Sequence, residues 1–221
     1  MSISTKRLKK RSEKDRRSDL NNLAIDIVLL PSEETMEAAF RLNQELLRRF
    51  EKKIVLGQNH SLPHLSLAMG AAKEEDLPAA ANLLEEIGSH FPPIHLIFTE
   101  LHAGLITTGE TVTTWEVERT GELQSLHETV MERFNPLLTH DATAEDFIDF
   151  PNVKQTSVDW VNRYPTAAAF ERFSPHITLG IGTLEPNTPF PPRGTAARLA
   201  LCHLGNYCTC RKILFETTLR Q

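Results

Sequence analysis

Two histidines of this chain stand in the same eight-residue setting. Residues 63–70 read PHLSLAMG and residues 175–182 read PHITLGIG. Column by column, Pro63 matches Pro175, His64 matches His176, Ser66 matches Thr178 and Gly70 matches Gly182. Imidazole has an unperturbed pKa of about 6.5, so two of them can offer a base and an acid at one pH. A hydroxyl beside each can donate to a non-bridging phosphate oxygen as charge develops there. That inventory suits in-line displacement at phosphorus. One imidazole takes a proton from the attacking oxygen and the other gives one to the leaving oxygen. Opening a 2′,3′-cyclic phosphate requires those two transfers and no metal.

A lone His-x-Ser/Thr is a weak signal, but eight aligned columns with matching prolines and glycines are not. Such a doublet needs elements that bring its copies face to face. Each copy reads as a strand, where alternate side chains share a face. His64, Ser66 and Ala68 are expected on one face, with Leu65, Leu67 and Met69 on the apolar one. The second copy sorts as His176, Thr178 and Gly180 against Ile177, Leu179 and Ile181.

The rest of the chain supplies a frame of mixed elements. LAIDIVLL (23–30) reads as a buried strand, and Ser32 caps an amphipathic helix over 33–51. A second helix is expected over 74–90, and strands in IHLIFTELHAGLI and TVTTWEVER meet around Thr107–Glu110. Gly121 opens a third helix. Residues 139–172 are polar and irregular, an insertion or lid with room for a helix within 154–171. The chain closes with two strands around Gly205-Asn206, a hairpin signal. The expected class is α+β. Two duplicated βαβ-type, ferredoxin-like lobes place antiparallel sheets around a central cleft in one domain over 21–221.

Composition is that of a globular protein, 40% hydrophobic and 24% charged over 221 residues. No apolar run is long enough for a membrane span, and no signal-like segment follows the basic start. Residues 1–20 hold eight Lys/Arg against three Asp/Glu, and the remainder carries a net −10. The expectation is a disordered basic arm able to touch RNA, on an acidic body unsuited to a long nucleic-acid groove. The three cysteines, Cys202, Cys208 and Cys210, suit a reducing cytoplasm, with Cys208 and Cys210 as packing residues on one strand face.

The segments PHLSL and FSPHITL resemble the two H-x-[S/T]-hydrophobic motifs of the two-histidine (2H) phosphoesterase superfamily. That superfamily includes LigT-like RNA 2′,3′-cyclic phosphodiesterases, also called 2′-5′ RNA ligases. The resemblance covers the element order from about residue 22 to 218. It implies a bilobal fold with the site between the lobes, metal-independent chemistry and the catalytic set His64, Ser66, His176 and Thr178. It also implies the first-motif histidine as general acid and the second as general base. The chain departs in carrying Gly180-Ile181-Gly182 where many LigT-like members have a basic residue, and in its longer spacer between motifs.

The expected function is hydrolysis of a 2′,3′-cyclic phosphate on RNA ends or small nucleotides, without a cofactor. The alternatives are 2′-5′ RNA ligation, 2′-5′ oligonucleotide cleavage, or nucleotide binding without turnover. Arg172 and Phe173 before the second motif, Trp115 in its strand and Tyr164 in the irregular segment are further substrate-binding candidates. No metal site is expected. Pro63 interrupts the His60/His64 pair, and the C-x5-C-x-C spacing near the end fits no common zinc pattern.

Overall fold

The run LAIDIVLL forms strand β1 (Asn22–Pro31), whose last eight residues are buried. Ser32 then accepts a hydrogen bond from the Thr35 amide (3.4 Å) and starts α1 (Glu33–Arg49). Acids occupy the first turn of α1 and arginines its last, as the helix dipole favours. The chain continues through β2 (Leu65–Lys73), α2 (Leu77–His90), β3 (Ile94–Leu105) and β4 (Thr111–Val117). It ends with α3 (Gly121–Phe134), α4 (Gln155–Ala167), β5 (His176–Ile181), β6 (Arg193–Leu204) and β7 (Cys210–Thr218). This computed structural model describes residues 22–106 and 108–220, so the basic arm expected at 1–20 lies outside the described residues. Among the described residues, no helix is long and apolar enough to cross a membrane.

All strand pairs are antiparallel, in the order β2-β1-β6-β3-β4-β5 with β7 also on β6. The two histidine strands therefore sit at opposite ends of one sheet. The lobes share their long strands. β3 pairs with β6 over Ile94–Ile97 and with β4 from Phe98 onward. Helices cross between the repeats: α1 packs on β5, while α3 and α4 pack on β2.

The duplication is visible in the register. In β1–β2, Ile27 faces Ala68 and Val28 faces Ser66, so Leu67 is an extra residue. In β4–β5, Thr113 faces Gly180 and Thr114 faces Thr178, so Leu179 is the extra residue. The same motif column is bulged in both copies. A bulge leaves backbone groups without ladder partners and reverses the alternation beyond it. Simple alternation is therefore corrected in the first copy: Ala68 is buried, and Met69 turns to the cavity with His64 and Ser66.

Each bulge meets a buried polar side chain from the helix of the other repeat. Asn43 on α1, fully buried, donates to the carbonyls of Leu179 (2.7 Å) and Ile54 (3.0 Å) and accepts from the Leu56 amide (3.0 Å). His127 on α3, also fully buried, accepts the Phe170 amide at 2.8 Å and stacks on Phe173 with ring centroids 3.9 Å apart. Burial pushes its imidazole down to about 4, partly offset by the backbone of Leu67.

The cysteine expectation is also corrected. Cys202 on β6 and Cys210 on β7 form a disulfide with Cα atoms 5.6 Å apart, and Cys208 is the free thiol. In the β6–β7 register Cys202 faces Ile213 and Cys210 faces Leu204, with irregularities at Leu201/Cys202 and His203/Leu204. The bridge is packed with Val28, Leu30, Met36 and Ala200.

The repeated glycines answer different needs. A Cβ on Gly70 would lie 2.9 Å from the Thr139 carbonyl oxygen. Gly182 has φ 108°, and a Cβ there would run into the Phe50 ring. Gly182→Ala is expected to destabilise by about 1–3 kcal/mol. Gly121→Ala, with nothing within 4 Å, is expected to be neutral or mildly stabilising. Urea unfolding of both variants measures the difference.

Candidate active site

Pro63 and Pro175 fix their own φ and hold the residues before them extended. His64 Nδ1 lies 2.8 Å from the Leu62 carbonyl, and His176 Nδ1 lies 2.9 Å from the Ser174 carbonyl. A carbonyl can only accept, so each bond places the proton on Nδ1 and leaves Nε2 as the working nitrogen. Both imidazoles, with Ser66 and Thr178, line one cavity of about 500 Å³. The four residues that the motifs single out are thus brought together from opposite ends of the sheet.

The two half-sites differ in their surroundings. His64 has a side chain 11% exposed. Burial pushes its imidazole down to about 4; the Leu62 carbonyl opposes this and His176 across the cavity adds to it. His64 is therefore neutral at neutral pH. Ser66 Oγ is hydrogen-bonded to Asp26 Oδ2 at 2.6 Å, and the same carboxyl oxygen lies 3.7 Å from His64 Nε2. Thr178 faces the cavity with no hydroxyl partner among the described residues.

The remaining candidates separate. Tyr164, on α4, is buried, lines the cavity and donates its hydroxyl to the Ser66 carbonyl at 3.3 Å. Phe173 also contributes to the wall, but its ring is committed to His127. Arg172 stands at the rim and donates to the Thr166 carbonyl. Trp115 does not reach the cavity. It is fully buried and stacks on Phe98 with centroids 3.8 Å apart, while its neighbour Thr114 faces the cleft. Strand alternation accounts for this correction.

The irregular segment supplies a wall. Its expected helix is α4, which presents Trp160, Arg163 and Tyr164, with the Arg163 guanidinium 5.3 Å over the Trp160 ring. Asp26 and Trp160 were not among the sequence candidates. The signal for Asp26 was a lone acid inside an apolar strand; for Trp160 there was only its place in the segment.

One end of the cavity is held by Glu110, at the β3–β4 turn. Its carboxylate accepts from Lys53, Thr108 (2.6 Å), Lys154 (2.9 Å) and Tyr207 (2.9 Å). Tyr207 and Thr108 belong to the cavity wall. Burial acts to raise the Glu110 carboxyl, and the four donors outweigh it, holding it at about 2. A depressed carboxylate stabilises the fold above its unfolded pKa of about 4.5, and that contribution fades as pH falls toward 2. Glu110→Gln is expected to cost about 1–2 kcal/mol near pH 7, the half-exposed lysines limiting the effect. Thermal melts should show the gap to wild type shrinking at pH 3.

The profile of the 2'-5' RNA ligase superfamily matches residues 43–200, a span containing both histidine motifs. Among solved structures, the fold is similar to TT0787 of Thermus thermophilus, at 17% identity and TM-score 0.59 over 90% of this chain and 98% of that one. It is also similar to E. coli LigT complexed with phosphate, at 17% identity and TM-score 0.52 over 91% and 99% of the chains. LigT complexed with 3'-AMP gives 15% identity and TM-score 0.51 over 90% and 99%. At these identities the likeness is one of fold. No curated protein matches the chain. With the profile spanning most of the chain and both histidine strands inside it, the protein belongs to the 2'-5' RNA ligase superfamily.

Proposed function

We propose that the protein is a metal-independent phosphodiesterase that opens 2′,3′-cyclic phosphates on RNA ends or nucleotides. The observation that carries this reading is the pair of Nδ1-anchored imidazoles, each with a hydroxyl two residues on, around one cavity. The atoms balance without a co-reactant other than water. Water oxygen attacks phosphorus, one imidazole Nε2 takes its proton, the ring P–O bond breaks, and the other imidazole protonates the leaving ribose oxygen.

The burial of His64 favours it as the base, because a base must be neutral before it acts. This reverses the acid and base roles implied by the family resemblance. Thr178 and Ser66 donate to the non-bridging oxygens. The LigT structures with phosphate and 3'-AMP support a nucleoside phosphate as the substrate class. Trp160 and the rim arginines Arg163 and Arg172 suit a base and a phosphate at the mouth. The basic arm 1–20 adds sequence-independent attraction to an RNA backbone.

The test is turnover of 2′,3′-cyclic nucleotides and cyclic-phosphate RNA ends in excess EDTA, with a 5′-hydroxyl RNA added in a parallel arm to detect joining. His64→Ala and His176→Ala are each expected to lower kcat by about 10²- to 10⁴-fold. The acid limb of kcat/KM is expected near pH 4, because rate rises as His64 loses its proton. Activity that survives in both variants, or disappears with EDTA, contradicts the reading. Removing residues 1–20 should weaken RNA-end binding at low salt and leave mononucleotide turnover unchanged.

A further inference from the structure

Asp26 is a fully buried acid in the middle of β1. It lies across from Met69 on β2 and Cys202 on β6, on the sheet face that carries Ser66 and the cavity. Its Oδ2 meets the Ser66 hydroxyl at 2.6 Å and lies 3.7 Å from His64 Nε2, while Oδ1 has no hydrogen-bond partner among the described residues. The fold does not demand an acid here. In the second repeat, the residue that faces the same motif column is Val112, opposite Ile181.

A hydroxyl has one hydrogen. If Asp26 is a carboxylate, Ser66 gives that hydrogen to it and turns only lone pairs toward the cavity, where they repel a phosphate oxygen. If Asp26 holds a proton, the acid donates to Ser66 Oγ, and the Ser66 hydrogen is free to point at the phosphate. The surroundings favour the second state. Asp26 is faced by Ser66 and His64 from β2, Tyr164 from α4, Cys208 from the turn before β7 and the bonded Cys202 from β6. Across the cavity, His176 acts on His64. Among these only a protonated histidine is a cation. Burial accordingly pushes the Asp26 carboxyl well above the usual carboxylate range, with the Ser66 hydrogen bond drawing it partly back.

We propose that Asp26 is a positioning residue, a protonated carboxyl that donates to Ser66 Oγ and so makes Ser66 a hydrogen-bond donor toward the phosphate. A carboxylic acid kept neutral by an apolar site can serve as a donor in this way. The device belongs to the first half-site alone, and it rests on the two-histidine reading above.

Two measurements on the full-length protein test it. Carboxyl NMR of protein labelled with ¹³C-aspartate, with Asp26→Asn to assign the signal, should show one carboxyl still protonated at pH 7. An ionised Asp26 at that pH overturns the proposal. In kinetics with a 2′,3′-cyclic nucleotide, Asp26→Asn, whose amide can donate to Ser66, should keep kcat/KM within about threefold. Asp26→Ala should lower it about tenfold or more, yet add less than about twofold when Ser66 is already Ala. Equal damage from Asn and Ala, or independent multiplication of Asp26→Ala and Ser66→Ala, also overturns it. Thermal melts of each variant separate misfolding from loss of the relay. If the wild-type protein turns over no phosphodiester, the two-histidine reading fails, and the carboxyl titration still decides Asp26.

Discussion

The site depends on one short hydrogen bond made twice, from imidazole Nδ1 to the carbonyl two residues earlier. That bond fixes the tautomer and leaves Nε2 for the cleft, across a proline that holds the chain extended. The shared columns of the motif follow from it. Proline shapes the approach, histidine closes the bond, and the hydroxyl two residues on falls on the same face. The bulge at the next column then turns each strand away from simple alternation, and a helix from the opposite repeat secures it. The repeats thus hold each other's histidine strands in place, which is why the lobes cannot be understood separately.

Symmetry of position is not symmetry of environment. His64 is nearly enclosed and held neutral, and its neighbouring hydroxyl is engaged by Asp26. On the other side, Thr178 is open to the cavity and Val112 occupies the place of the acid. A duplicated scaffold can therefore give two histidines of identical motif different surroundings. The difference comes from burial and from one carboxyl on a neighbouring strand.

The α+β class and the four motif residues that meet at the cavity were legible because both rest on local pattern. A doublet is visible in one line of sequence, and strand and helix periods repeat within a few residues. What was hidden depends on long-range register. Met69 reaches the cavity only because Leu67 is bulged, and a bulge leaves no mark in the alternation of apolar letters. Trp115 is core because its ring stacks on Phe98 of the neighbouring strand, a contact that no spacing rule identifies. The Cys202–Cys210 bridge required knowing which β6 and β7 residues meet. Asp26 was in plain view inside LAIDIVLL, but its role needed β2 beside it. The Glu110 cluster draws its donors from Lys53, Thr108, Lys154 and Tyr207, and three of those four come from distant segments of the chain.

In the proposed reaction the two imidazoles work on one phosphorus from opposite sides. A crystal structure with a nucleoside 2′,3′-vanadate, a mimic of the five-coordinate phosphorus, tests it most directly. Vanadium is expected between the motifs, with His64 Nε2 and His176 Nε2 within hydrogen-bonding distance of opposite apical oxygens and Thr178 on an equatorial one. Vanadate bound elsewhere, or both imidazoles meeting the same side of the metal centre, would contradict it.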